Sequence, residues 1–258
     1  MHLLVYGPGR LGSAITAAAV AARWREPTVV GRPAAGPGPG APAADVVVVA
    51  SPGGAVVGNV EHALAGGNRA FVLASTGWEG DLARVRDELL GAGAAAVVAP
   101  NLSMGAALFL RLAETAAGWY AAAGSFEPSV VEWHRRGKAD RPSGTARAIA
   151  RRIAAADPRW AVAGEPGPVE QAVQPDDRPP LEIVGIRAGA APGTHLVTFD
   201  GPGESVELRL TARDRSAYAD GALLAARWLT REPRAAGLHP FDTVVDDLLA
   251  TSPALVPA

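Results

Sequence analysis

The feature that most constrains this chain is a glycine-rich turn between a strand and a helix. Gly7, Gly9 and Gly12 follow the spacing Gly-x-Gly-x-x-Gly, directly after an apolar run at 2–6 and before an alanine-rich stretch at 13–25. Glycines let a backbone approach a pyrophosphate closely, and the helix N-terminus offers it free N–H groups and a positive dipole end. In this context the spacing predicts a dinucleotide-binding site; the alternative is a glycine-rich turn without a ligand.

Further apolar runs continue the pattern through the first 101 residues. They are short, rich in valine or alanine, and alternate with helical stretches; they lie at 28–30, 45–50, 70–74 and 95–99. A continuous run such as 45–50 suits a strand buried on both faces, as in a parallel sheet. We therefore expect an α/β fold whose N-terminal domain, 1–101, is a Rossmann-type doubly wound parallel sheet, with a flexible connection at 33–42.

The alternation of strands and helices changes after residue 101. A strand at 129–133, a helix at 145–156 and a long loop at 164–180 precede three strand candidates at 182–187, 195–200 and 204–212. Turn residues separate these three strands, which we expect to form an antiparallel meander. Residues 102–214 thus predict a C-terminal α+β domain with a mixed or antiparallel sheet. Two further helices, at 217–230 and 243–249, are expected to return residues 215–258 to the first domain.

Composition argues against several classes of function. The formal net charge of -2 and the pI near 6.2 supply no basic face for DNA, RNA or an anionic membrane. No apolar run approaches the roughly 18 residues of a membrane span. The N-terminus shows no basic leader, so we expect a cytoplasmic protein. The absence of cysteine excludes disulfides, thiolate zinc sites and thiol nucleophiles, so redox chemistry would need a bound cofactor.

The end of the second strand bears on the choice of cofactor. Gly31 and Arg32 stand where a ribose-binding Asp or Glu often follows this strand. An arginine there favours a 2′-phosphate, which indicates NADPH and leaves NADH possible. A solvated surface charge is the alternative for Arg32.

Lys138 stands out because it is the only lysine among 24 basic residues, the others being arginine. An ammonium can lower its pKa on burial and release a proton, which a guanidinium cannot do. The sequence therefore suggests a catalytic lysine, although a single chance codon would also explain it.

The stretch around this lysine gathers polar residues between a strand and a helix start. Basic side chains crowd into residues 134–141, and Pro142, Ser143 and Gly144 are typical of a helix N-terminus that holds a carboxylate through backbone N–H groups. This arrangement predicts a small anionic substrate, with His134 or Lys138 as general acid. A solvated basic loop is the alternative.

No metal site is expected. The acidic residues Asp176, Asp177, Asp246 and Asp247 lack the spacing of metal ligands. His2, at a strand start, and His62, in a helix, are interpreted as structural. His239 lies in a proline-flanked turn, and His195 begins a strand without an evident partner.

Taken together, these residues resemble the 4-hydroxy-tetrahydrodipicolinate reductase (dihydrodipicolinate reductase) family of lysine and diaminopimelate biosynthesis. Its motif Glu-x-His-His-x-x-Lys-x-Asp-Ala-Pro-Ser-Gly-Thr-Ala is similar to residues 132–146. Residues 74–77, 99–105 and 213–222 also resemble segments of the family, so the resemblance covers essentially the whole chain.

The resemblance implies roles for individual residues. His134 would be a proton donor or acceptor and Lys138 the proton donor. A substrate dicarboxylate would be bound by Arg135, Ser143, Gly144, Thr145 and Arg215. The cofactor would contact Gly7, Pro8, Gly9, Arg10, Leu11, Gly12, Arg32, Ala74, Ser75, Thr76, Ala99, Pro100, Asn101 and Leu102. The family also implies a homotetramer assembled through the second domain.

The chain departs from the family motif at three positions. Arg135 replaces the second histidine, Arg141 replaces the alanine before the proline, and Ala74 replaces a glycine. Arg135 keeps a positive charge but is longer and always charged. A reductase of another cyclic imine or enamine acid is therefore an alternative, and a catalytically silent dinucleotide-binding sensor is a third possibility.

Overall fold

The computed structural model describes residues 1–31, 40–162 and 178–251, and the chain forms two compact units. The first unit contains Met1–Met104 together with Arg215–Ala258, and the second contains Gly105–Asp214. Arg32, Asp176, Asp177, most of the expected connection at 33–42 and most of the expected loop at 164–180 lie outside the described residues. Within the described ranges, no helix is long and apolar enough to cross a membrane.

The first unit is built on a parallel sheet. Its six strands are β1 (His2–Tyr6), β2 (Arg25–Val30), β3 (Val46–Val49), β4 (Ala70–Leu73), β5 (Ala95–Val98) and β11 (Gly237–Pro240). Their order is β11-β5-β4-β3-β1-β2, and every neighbouring pair is parallel. Because β2 and β3 flank β1 on opposite sides, the turn after β1 lies where the strand order reverses. Ligands of such sheets bind at this point.

Helices cover both faces of this sheet. They are α1 (Arg10–Ala21), α2 (Val56–Ala65), α3 (Leu82–Gly91), α6 (Ser216–Arg231) and α7 (Phe241–Ala250). Leu4 and Tyr6 share a core with residues of α2 and α3, while the alternate residues Leu3 and Val5 are also fully buried. This two-sided burial explains why the strands are continuous apolar runs. The prediction of an α/β fold with a Rossmann-type sheet is confirmed.

The second unit is built on a mixed sheet with two helices. It contains α4 (Met104–Ala123), β6 (Glu127–His134), α5 (Gly144–Ala156), β7 (Ala161–Val162), β8 (Pro180–Arg187), β9 (Gly193–Asp200) and β10 (Ser205–Ala212). The strand order is β10-β9-β6-β8-β7. β6 is parallel to β8 and antiparallel to β9. A core that includes Phe109 of α4, Ile149 of α5 and Phe199 of β9 joins the helices to the sheet.

The predicted antiparallel meander is wrong in one respect. β9 and β10 pair antiparallel as expected, but β8 pairs with β6 and β7 rather than with β9. The helix α5 lies between β6 and β8 in the chain, and such a crossover returns the second strand parallel to the first. The long helix α4, the short strand β7 and the strand β11 were not anticipated, and β11 contains His239 instead of the expected turn.

Candidate active site

The glycine-rich turn of the first unit is tightly packed against the strand ends beside it. Gly7 has φ +103°, and a Cβ there would lie 2.5 Å from the carbonyl oxygen of Ala50. A Cβ on Gly12 would lie 1.9 Å from the carbonyl oxygen of Gly7. These two positions therefore require glycine, whereas Gly9 has open space beside it. Pro8, Gly9 and Arg10 are exposed and Leu11 is half-buried.

The start of α1 is suited to an anion. Gly9 is the residue before the helix, and no side chain caps the first turn. The first N–H groups of a helix have no partner within it, so an uncapped and exposed start can bind a phosphate group. The turn thus has the geometry of the dinucleotide site that its spacing predicted.

The loops after β3 and β4 are joined beside this turn. The hydroxyl of Ser75 donates hydrogen bonds to the carbonyl oxygens of Val49 (3.1 Å) and Ser51 (2.7 Å). A Cβ on Gly53 would lie 2.2 Å from the carbonyl oxygen of Gly77. The buried side chain of Ser75 is therefore committed to this junction, between half-buried Ala74 and exposed Thr76. Sequence reasoning missed the segment 51–54, although Ser-Pro-Gly-Gly directly follows a buried valine run.

The segment after β5 is fixed from two sides. The side-chain oxygen of Asn101 accepts a hydrogen bond from the N–H of Ser103 (2.9 Å). A Cβ on Gly221 of α6 would lie only 1.6 Å from the carbonyl oxygen of Leu102. Ala99 is buried and Pro100 is exposed. Since β1, β4 and β5 are parallel members of one sheet, these predicted cofactor contacts follow strands that end at the same edge.

In the second unit a buried carboxylate organises the predicted substrate residues. Glu132 on β6 is 0% exposed. Its Oε1 accepts hydrogen bonds from the N–H of Ser143 (2.9 Å) and from the guanidinium of Arg187 (2.7 Å). Burial raises the pKa of Glu132, but these donors outweigh it and hold the pKa below its ordinary range. Glu132 is therefore a buried anion bonded to both β8 and the start of α5.

Two imidazoles face the other oxygen of the same carboxylate. Nε2 of His134 lies 3.2 Å from Oε2 of Glu132, and Nδ1 of His195 lies 3.9 Å from it. Burial lowers the pKa of His134 against the opposing influence of Glu132, and it lowers the pKa of His195 to about 4. Both rings are therefore neutral at pH 7. The expectation that His195 lacks a partner is wrong, because β9 pairs with β6 and places the ring there.

The loop between β6 and α5 contains the single lysine. Nζ of Lys138 donates hydrogen bonds to both carboxylate oxygens of Asp140, at 2.6 Å and 2.9 Å. Burial raises the pKa of Asp140, but Lys138 and backbone N–H groups, including that of Gly144, lower it overall. Arg187 also donates to the carbonyl oxygen of Asp140. The lysine is half-buried, whereas Arg135 and Arg136 are exposed.

The start of α5 is capped by its own serine. The hydroxyl of Ser143 accepts a hydrogen bond from the N–H of Ala146 (3.2 Å), and Ser143 is only 2% exposed. The side chain of Ser143 therefore acts as the N-cap of α5. Gly144 is exposed, and a Cβ there would meet no atom within 4 Å. The space in front of Gly144 and half-buried Thr145 is therefore open to a carboxylate.

Arg215 lies in the other unit, directly before α6. Its carbonyl oxygen accepts hydrogen bonds from the N–H groups of Tyr218 (3.2 Å) and Ala219 (3.1 Å), and the residue is exposed.

Only one group of metal-ligand side chains converges among the described residues. Single ligand atoms of Glu132, His134 and His195 lie within 4.8 Å of one another. The guanidinium of Arg187, 2.7 Å from the same carboxylate, opposes a second cation there. We interpret the group as a hydrogen-bonding cluster, and the expectation of no metal stays a prediction.

The two units together define a class of protein. A parallel sheet with a glycine turn suited to an anion, joined in one chain to a mixed-sheet unit with a polar site, is the organisation of an NAD(P)H-dependent oxidoreductase.

Comparison with known proteins gives the family. A family model described as dihydrodipicolinate reductase, C-terminus, matches residues 105–244. The chain is 32% identical over 204 residues to the 4-hydroxy-tetrahydrodipicolinate reductase of Methanosarcina barkeri, covering 78% of this chain and 73% of the relative. It is 34% identical over 194 residues to that of Rhodopirellula baltica, covering 74% and 67%. The chain therefore belongs to the dihydrodipicolinate reductase family, as the sequence motifs indicated.

A solved structure supports the fold. The dipicolinate-bound dihydrodipicolinate reductase from Paenisporosarcina sp. TG-14 matches with a TM-score of 0.67 and 20% identity, over 93% of this chain and 97% of that one.

Proposed function

We propose that this chain reduces 4-hydroxy-tetrahydrodipicolinate to tetrahydrodipicolinate, with NADPH as hydride donor and with release of water, in diaminopimelate and lysine biosynthesis. The relatives that share three quarters of the chain are named for this substrate. The observation that carries the proposal is the second-unit site. There, Lys138 and the open start of α5 are both bonded into one framework around the Glu132 carboxylate.

The residues of that site divide the work between binding and proton transfer. One substrate carboxylate would bind the N–H groups of Gly144 and Thr145, and Arg215 would hold the other. The nicotinamide, when bound to the first unit, supplies a hydride, which leaves negative charge on the reduced substrate. Lys138 would neutralise that charge by donating a proton from Nζ. The hydride and this proton together complete the two-electron reduction, and the released water forms from the substrate hydroxyl and a proton of the neighbouring ring carbon.

The choice of cofactor and the assembly belong to the same proposal. NADPH is preferred because of Arg32, and the cofactor would bind the segments 7–12, 74–76 and 99–102. A homotetramer is supported by the sheet face that carries Val131 and its two register partners, Val184 and Leu196. Val184 is 42% exposed, so this apolar face is uncovered in the single chain.

The test is NADPH oxidation with substrate generated by the preceding synthase. Wild-type protein should consume NADPH, whereas Lys138→Ala should lose at least about 10²-fold in kcat, the typical contribution of a positioned acid. Its affinity for NADPH should not change. Arg136→Ala is the matched control, since it removes an exposed cation from the same loop. No turnover by the wild type would remove the proposed substrate.

A second candidate function follows from Arg135. This exposed residue takes the place of a histidine in the family motif, and Nη1 of its guanidinium would lie 3.0 Å from a Cβ on Gly137. A guanidinium binds carboxylates in a different geometry from imidazole. A different cyclic imine or enamine acid is therefore the alternative substrate, and Arg135→His should shift the preference back to 4-hydroxy-tetrahydrodipicolinate. NADPH binding without turnover of either class would instead indicate a silent sensor.

A further inference from the structure

The carboxylate of Glu132 divides its two oxygens between different tasks. Oε1 is occupied by donors from Ser143 and Arg187. Oε2 faces Nε2 of His134 and Nδ1 of His195 and, apart from one another, these three buried atoms have no polar partner among the described residues. Among the described residues, the polar atoms that face these three therefore belong to this group.

The chemistry of the group selects one tautomer of His134. An ionised carboxylate only accepts hydrogen bonds, and leaving a buried polar atom unsatisfied costs about 1–3 kcal/mol. Nε2 of His134, 3.2 Å from Oε2, is the ring nitrogen within hydrogen-bond range and must therefore bear the proton. A neutral imidazole has one N–H, so His134 with its proton on Nε2 keeps a lone pair on Nδ1. The charged or titratable groups that act on His134 come from every neighbouring element: Glu132 on β6, Arg187 on β8, His195 on β9 and Lys138 on the loop.

A glycine lies beside the other edge of the His134 ring. A Cβ on Gly193, the first residue of β9, would lie 3.0 Å from Cε1 and 3.4 Å from Nδ1. The absence of a side chain at position 193 therefore leaves room beside Nδ1.

We propose that Glu132 is a positioning residue that fixes the proton of His134 on Nε2 and leaves Nδ1 to meet the substrate. The role of His134 rests on the proposed function. Nδ1 then accepts a hydrogen bond or a proton, and proton donation falls to Lys138. His134 therefore acts as a neutral acceptor and does not need to be protonated first.

The first experiment reads the tautomer without any turnover. In protein labelled with ¹⁵N in its histidine rings, the signals that His134→Asn removes identify this residue. At neutral pH the wild type should show His134 with Nε2 protonated and Nδ1 bare. Glu132→Gln should lose this fixed state and show averaged nitrogen shifts. A wild-type ring protonated on Nδ1 would overturn the proposal, whether or not Glu132→Gln folds.

A second variant tests whether Nδ1 faces the substrate. Gly193→Ala leaves Glu132, Ser143 and Arg187 unchanged but places a methyl group against the Nδ1 edge. We expect kcat to fall about 10-fold or more, with the Nε2–H tautomer and the NADPH affinity retained. Unchanged kcat would refute the assignment of Nδ1.

The two readouts separate this inference from the proposed function. The Nε2–H tautomer together with no reduction of 4-hydroxy-tetrahydrodipicolinate would support the positioning role of Glu132 and reject the substrate. Normal turnover with the Nδ1–H tautomer would support the proposed substrate and reject the positioning role of Glu132.

Discussion

Removing Arg187 should destabilise the second unit strongly. Its guanidinium bonds to Glu132 at 2.7 Å, with side chains only 9% and 0% exposed, so water screens the pair little. Breaking a buried pair by removing one partner costs about 3–5 kcal/mol, because an uncompensated charge remains. The N–H of Ser143 stays bonded to Glu132, so we expect Arg187→Met to lose about 3 kcal/mol. Arg187→Lys, which keeps the charge but loses the fork, should lose less.

Amide hydrogen exchange is the suitable assay because it reports on the strands of one unit. At pH 7 a loss of about 3 kcal/mol makes exchange through opening of β6, β8 and β9 faster by roughly 10²-fold. The strands β1 and β3 of the other unit serve as the internal control.

The same variant has a pH signature. In the wild type the pKa of Glu132 lies below its ordinary 4.5, so its ionisation contributes stability above that value, and this contribution is lost as the pH falls through the lowered pKa. Without Arg187 the pKa rises, and a protonated Glu132 needs no cation. The difference between variant and wild type should therefore shrink from pH 7 towards pH 4.5. A loss below about 1 kcal/mol at pH 7, or one independent of pH, would refute this reasoning.

Three further predictions concern other parts of the molecule. Gly7→Ala should cost the first unit about 2 kcal/mol or more in thermal unfolding, because of its φ of +103° and a carbonyl oxygen 2.5 Å from the new Cβ, whereas Gly9→Ala should be nearly neutral. Val184→Lys should dissociate the proposed oligomer, measured by light scattering with wild-type circular dichroism as the folding control. Asp157→Asn should lose about 1 kcal/mol at pH 7, because Arg159 outweighs burial and lowers the pKa of Asp157. That deficit should shrink as the pH falls below 3.8, where the wild type loses the same contribution; a constant deficit would contradict it.

The parallel sheet was predictable from sequence because its signals are local. Val46–Val49 is uniformly buried, and a strand covered on both faces leaves a continuous apolar run in the sequence. Strand pairing is not local, which is why the position of β8 was missed. Its residues Pro180–Arg187 look the same whether they pair with β9 or with β6. The pairing partner of β8 is decided by the crossover through α5. The residues of β8 alone therefore do not reveal it.

The residues of the candidate site also divide into those that local sequence predicts and those that depend on strand pairing. Lys138 and the start of α5 were found from residue types within one short segment. His195 and Arg187 were not, because they reach Glu132 only through the pairing of β9 and β8 with β6. His195 lies opposite Glu132 in the register, so a correct pairing of the strands would have predicted the contact.

The position of Glu132 is itself an argument about where the chemistry lies. A hydrophobic replacement of a buried ion pair is often neutral or stabilising, so folding alone gives no reason to keep this carboxylate. It stands near the end of β6, where it accepts hydrogen bonds from Ser143 at the start of α5 and from Arg187 of β8, and it faces the imidazole of His134. Each of these groups is attached to a segment that the proposed reaction needs: the helix start, the lysine loop, which Arg187 also contacts, or the imidazole itself. A buried ion pair that a hydrophobic replacement could equal in stability, and that connects these segments, is better explained by the reaction than by the fold.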